Sequence, residues 1–161
     1  MYKRQIFNLL GPLANPSRPS HQLVGVSSLS ILRKYQHVLG QSEQTYALIH
    51  AVDGYDEVSL TDKAKYVTNE KDSIITATDF GTQAINANDI LGGANVEEAS
   101  KLFLNIIKGE GTVAQNKVVC ANAAIALNQI YREESLQDQY EKAMESLRSK
   151  KALSTFKKLI K

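Results

Sequence analysis

A single cysteine, Cys120, occurs in 161 residues, so an internal disulfide is excluded and a reducing compartment fits. Cys120 lies in the apolar run Val118-Val119-Cys120-Ala121, where a small buried hydrophobic side chain is the better reading than a nucleophile. No apolar stretch approaches the length of a membrane span, and no signal peptide opens the chain, so a cytoplasmic location is expected. Internal repeats, linkers and low-complexity tracts are lacking too. One domain is expected, and the length suffices for a real core.

An excess of charge of one sign is also lacking. The chain has 19 basic and 17 acidic residues, a formal excess of +2. That excess sits in the first five residues. Met1-Tyr2-Lys3-Arg4-Gln5 is what ATG TAT AAG AGA CAG encodes, and this string ends a transposon adapter used in sequencing libraries. Residues 1–5 are therefore expected to be a scar, with the protein's own sequence starting at Ile6. Setting aside Lys3 and Arg4 leaves 17 basic residues against the 17 acidic ones. A neutral chain with no basic run before its last turn argues against nucleic-acid or membrane-surface binding. Lys157, Lys158 and Lys161 suit the solvated face and negative dipole end of a last helix.

What is present alternates between the two periods of secondary structure, which predicts an α/β domain. His21 to Ser27 reads as a buried strand. Ser30 to Leu39 carries apolar residues at helical spacing, with Gly40 as a stop. Tyr46 to Val52 is a second strand, so a βαβ unit with parallel strands is predicted. Glu57–Leu60, Ala64–Thr68 and Ser73–Ala77 read as short antiparallel strands, with a turn at Asn69 to Asp72. The remainder is helical. Asn95, with Glu98, caps a helix that Gly109 closes. Gln115 to Ile130 is apolar nearly all round, as in an enclosed helix. A helix begins near Ser135 and Asp138, and a final one runs from Lys151 to Lys161.

Chemistry concentrates in Asp53-Gly54-Tyr55-Asp56-Glu57, directly after the second strand. Three carboxylates with a glycine to turn the chain make a hard-oxygen site suited to Mg²⁺. Ligands of open α/β sheets bind beyond the carboxyl ends of strands, where this segment falls. An acidic surface turn is the competing reading. The segment from Asn8 to Pro16 reads as a helix end and rigid loop feeding the first strand, or as a shaped rim for an aromatic ligand. Gly92-Gly93 lacks the other residues of a phosphate loop and predicts a turn. Asn122, on a buried helix, must find a polar partner. His21, His37 and His50 are scattered without metal spacing.

Together, Ile6 to Pro16, Gln22-Leu23-Val24-Gly25-Val26 and Asp53 to Leu60 resemble anthranilate phosphoribosyltransferase. Asp79-Phe80-Gly81, Asp89-Ile90-Leu91-Gly92-Gly93 and Ala121-Asn122-Ala123-Ala124-Ile125-Ala126-Leu127 extend the resemblance to the C-terminus. It implies an α/β fold of the nucleoside phosphorylase and phosphoribosyltransferase type, a mixed sheet with packed helices. It implies transfer of phosphoribose from phosphoribosyl pyrophosphate to anthranilate, in tryptophan biosynthesis, with Mg²⁺ as cofactor. Asp56 and Glu57 match the family's metal-holding acidic pair. Arg4 falls where the family has an arginine for the anthranilate carboxylate, but within the expected scar.

The resemblance covers the C-terminal half of a family member. The absent half would carry the glycine-rich pyrophosphate loop and a helical domain used for homodimerisation, so the isolated chain is expected to be inactive. A related pyrimidine nucleoside phosphorylase shares the architecture, and a nucleic-acid-binding paralogue is a third reading. The Asp56-Glu57 pair and the Asn8 to Pro16 segment favour the transferase, and neutral charge disfavours the paralogue.

Overall fold

The strand–helix–strand pattern folds as its periodicity predicts. In the computed structural model, which describes residues 9–160, β1 (His21–Gly25), α1 (Leu29–Leu39) and β2 (Thr45–Ala51) form the βαβ unit. β1 and β2 are parallel, with Val24 opposite Leu48. Ser28 starts α1 by accepting from the Ile31 N–H, and the Gly40 N–H closes it on the Gln36 carbonyl. The expected scar, with Arg4, and Ile6 to Asn8 lie outside the described residues.

β3 (Ala64–Thr68) pairs antiparallel with β2, and β4 (Asp72–Ile75) antiparallel with β3. The sheet is therefore mixed, in the order β1-β2-β3-β4. Strand side chains alternate between faces, and β2 shows what that does here. Ala47, Ile49 and Ala51 enter one core, while Tyr46 and Leu48 enter the other. Leu32, Tyr35 and Leu39 of α1 cover the second face.

Four further helices follow: α2 (Val96–Ile107), α3 (Val113–Asn128), α4 (Leu136–Arg148) and α5 (Lys151–Leu159). Cys120, Ala121, Ala124 and Ile125 of α3 and Tyr140, Ala143 and Leu147 of α4 fill the first core. Ala121 and Ala124 are fully buried there. Among the described residues, no helix is long and apolar enough to cross a membrane.

Three expectations need correction. Glu57–Leu60 is not a strand. The Val58 N–H and carbonyl are both taken by the Asn122 side chain, which leaves them unavailable to a ladder. Leu60 then turns the chain with φ of 60°, outside extended backbone. α3 starts at Val113, before the expected Gln115, because Thr112 and Gln115 form a reciprocal capping box. Nor is α3 enclosed: Val113 and Val119 are exposed, because the sheet and α4 cover only part of its apolar surface.

Candidate functional site at the carboxyl ends of β1 and β2

Beyond Ala51 the chain leaves the sheet in a closed loop. The Ala51 N–H donates to the Tyr55 carbonyl at 2.9 Å, and the Val52 N–H to the Lys63 carbonyl at 2.9 Å. Gly54 turns the chain with φ of 101°, a conformation that side-chain-bearing residues rarely adopt. Asp53, itself exposed, braces the loop through two hydroxyls. It accepts from the buried Ser59 hydroxyl at 3.3 Å and from the Thr61 hydroxyl.

The three carboxylates grouped in the sequence do not converge on one point: Asp53 is taken by these two hydroxyls and does not line the cleft that Asp56 and Glu57 enter. Asp56 and Glu57 stand exposed. Together with Leu23, Gly25, Ile49 and Asn122 they line a cleft of about 330 Å³. Asn122 of α3 accepts from the Val58 N–H at 2.9 Å and donates to the Val58 carbonyl at 2.8 Å. Its amide also donates to the Val118 carbonyl at 2.9 Å, so the partner that burial demanded is found. On the opposite side, a β-carbon at residue 25 would overlap the Asp56 carbonyl oxygen. The absent side chain is what lets the loop backbone approach β1 so closely.

Among the described residues, no group of three or more His, Cys, Asp or Glu side chains could hold a metal ion. This argues against a site built wholly from protein ligands. A pair of carboxylates over a glycine notch does fit Mg²⁺, which keeps several waters and takes one or two carboxylates plus substrate oxygens.

The other sequence candidates fall elsewhere. Gly11–Leu13 forms a 3₁₀ turn, and the Pro12 carbonyl accepts from the Gln22 side-chain amide at 2.6 Å. Pro12 to Pro16 line a cleft of about 680 Å³ with Ser20, Gln22 and Gln44, at the amino ends of β1 and β2. Because the two strands are parallel, this is the opposite end from Asp56 and Glu57. The helix-end-and-loop reading describes this part of the segment.

Burial pushes the Cys120 thiol up to about 11, with smaller opposing effects of Arg148 and Glu141. It is suited to packing rather than attack. His50 Nδ1 bonds the Val26 carbonyl at 2.8 Å, while His21 and His37 meet Ser20 and Gln41. Gly92-Gly93 leads into the α2 cap, where Asn95 accepts from the Glu98 N–H and the Glu98 carboxylate accepts from the Ala94 N–H. Sequence reasoning missed Gly25 as a site residue; its signal was a glycine ending an apolar strand.

A mixed sheet between helical layers, with an acidic loop beyond the carboxyl end of a parallel strand, defines an α/β domain of the ligand-binding open-sheet class. Residues 2–153 match the profile described as "Glycosyl transferase family, a/b domain", and the chain belongs to that family.

The chain is 43% identical to the anthranilate phosphoribosyltransferase of Christiangramia forsetii, over 98% of this chain and 47% of that protein. It is 42% identical to that of Flavobacterium psychrophilum, over 97% and 47%. The chain thus spans about half the length of the curated relatives it matches. Among solved structures, anthranilate phosphoribosyltransferase from Thermus thermophilus superimposes with a TM-score of 0.85 at 26% identity, over 95% of this chain and 46% of that one. The Saccharomyces cerevisiae enzyme in complex with PRPP and Mg gives 0.82 at 22% identity, over 94% and 44%, a likeness of fold.

Proposed function

We propose that the chain is the C-terminal half of a magnesium-dependent anthranilate phosphoribosyltransferase, with Asp56 and Glu57 as the residues that hold the metal. The whole protein would act on anthranilate and phosphoribosyl pyrophosphate in tryptophan biosynthesis, in the cytoplasm, as a homodimer through its other half. The observation that carries this reading is the Asp56-Glu57 pair in a cleft at the carboxyl ends of β1 and β2, on a loop fixed to β1 and α3.

Each part of the loop has a task in that reading. Asp56 and Glu57 supply anionic oxygens at the cleft. Asn122 holds the Val58 backbone beneath them, and Asp53 ties the far side of the loop to Ser59 and Thr61. Asp56 and Glu57 would hold the magnesium, whose charge would offset that gathering on the departing pyrophosphate. Arg4, a candidate for the anthranilate carboxylate, matters only if residues 1–5 belong to the natural protein, which genomic reads across the junction at Ile6 decide.

The test follows anthranilate consumption by fluorescence, with phosphoribosyl pyrophosphate and Mg²⁺ present. The isolated chain should give no turnover, because half a site lacks the phosphate-binding part. A hybrid in which residues 6–161 replace the aligned part of the Christiangramia forsetii relative should turn over. Asp56→Asn with Glu57→Gln should abolish that activity. An undiminished rate in the double variant would overturn the reading.

A further inference from the structure

Two contacts fix the Asp56 to Val58 stretch of the acidic loop, and neither involves a carboxylate. The Asn122 side-chain amide spans both hydrogen-bonding groups of Val58, at 2.9 Å and 2.8 Å, across 64 residues of sequence. An amide suits this because it offers an acceptor and a donor together, which a carboxylate or an ammonium does not. Val58 itself is 2% exposed, so its backbone would be left unpaired without Asn122. From the other side, the Asp56 carbonyl occupies the space that a side chain at residue 25 would need. The backbone of Asp56 to Val58 is thus held between β1 and α3, and Gly25 and Asn122 line the same cleft as the two carboxylates.

We infer that Asn122 and Gly25 are positioning residues for the Asp56-Glu57 pair, Asn122 acting through the Val58 backbone and Gly25 by seating the Asp56 carbonyl. The inference rests on the metal-holding reading of that pair. Adjacent like charges on an exposed turn repel and spread when the chain is free. A backbone fixed at both flanks holds them at one spacing before the cation arrives. Groups behind metal ligands act in this way, and their loss commonly weakens metal binding by about 10- to 100-fold.

The experiment uses the full chain and Mn²⁺ as a paramagnetic probe, read by broadening of amide resonances, with thermal unfolding followed in parallel. Broadening in the wild type should centre on residues 25 and 56–58. Asn122→Ala and Gly25→Ala should each raise the Mn²⁺ midpoint about tenfold. Tyr66→Phe, which loosens α3 on the sheet at a different place, should lower the melting temperature without moving the midpoint. Asp56→Asn with Glu57→Gln should remove the broadening. Wild-type midpoints in folded Asn122→Ala and Gly25→Ala, with broadening lost in the carboxylate variant, would overturn the positioning role and leave the metal reading standing. Unchanged broadening in the carboxylate variant, or none in the wild type at millimolar Mn²⁺, would overturn both.

Discussion

The Gln129 side-chain amide donates to the Tyr66 phenolic oxygen at 2.9 Å, joining the end of α3 to the middle of β3. The phenol in turn donates to Asn128 Oδ1 at 3.1 Å. Both Tyr66 and Gln129 are buried. Tyr66→Phe leaves the Gln129 amide only a long contact to the Ile125 carbonyl, at 3.4 Å. The expected cost is about 1–2 kcal/mol, read as a lower urea midpoint with unchanged slope. An unchanged midpoint would mean that this chain of bonds adds nothing to stability.

Ser135 caps α4 and sets the titration of its neighbour. Hydrogen bonds from the Ser135 side chain and backbone hold the Asp138 carboxyl below its ordinary 3.8. A depressed carboxyl favours the fold above its unfolded value and loses that contribution as pH falls through the folded one. Ser135→Ala should cost about 1 kcal/mol as a lost cap. It should also move Asp138 up toward its ordinary value, seen in a carbon-detected titration. A titration curve that stays in place would rule out the hydroxyl as a cause.

Alkaline solution should destabilise the fold through buried acids. The Cys120 thiol lies at about 11 in the fold against 9.0 when exposed. Burial likewise raises the phenols of Tyr35, Tyr46, Tyr66 and Tyr140 above 10.0. The unfolded chain then ionises first, so stability is full below pH 9 and declines as pH climbs through 11. Urea midpoints should fall between pH 8 and pH 10.5. At pH 8 a thiol reagent should react slowly with the native chain and fully in urea. Immediate native reaction would contradict the buried thiol.

Asp56 and Glu57 are expected to contribute chemistry rather than stability. Both are exposed, and neither side chain pairs with a described residue. Asp56→Asn with Glu57→Gln should leave the unfolding free energy within about 0.5 kcal/mol of wild type. A larger loss in calorimetry would recast the pair as part of the loop's own framework.

The readable parts of the fold were those with a strong local period. The βαβ unit, its parallel pairing and the helices after Asn95 follow from apolar spacing and caps, which each segment carries by itself. The segment Glu57–Leu60 alternates like a strand but is not one. Its backbone partner is an asparagine on α3, far along the chain, and no local pattern records that. Asp53 looked equivalent to Asp56 and Glu57 by spacing, yet the Ser59 and Thr61 hydroxyls hold it, and it does not line the cleft. α3 looked enclosed from its composition, although coverage depends on which elements pack against it.

By itself, the sequence determined the βαβ unit, the run of helices after Asn95, the acidic segment after β2 and the resemblance to a transferase family. These are properties of neighbouring residues and of motif order. Tertiary structure alone decided that Pro12 to Pro16 lie at the opposite end of the sheet from the acidic pair. It also decided that Asp53 stands apart and that Gly25 and Asn122 fix the loop from two sides. Such relations depend on contacts between residues tens of positions apart, where close packing and paired backbone groups, rather than local propensity, set the geometry.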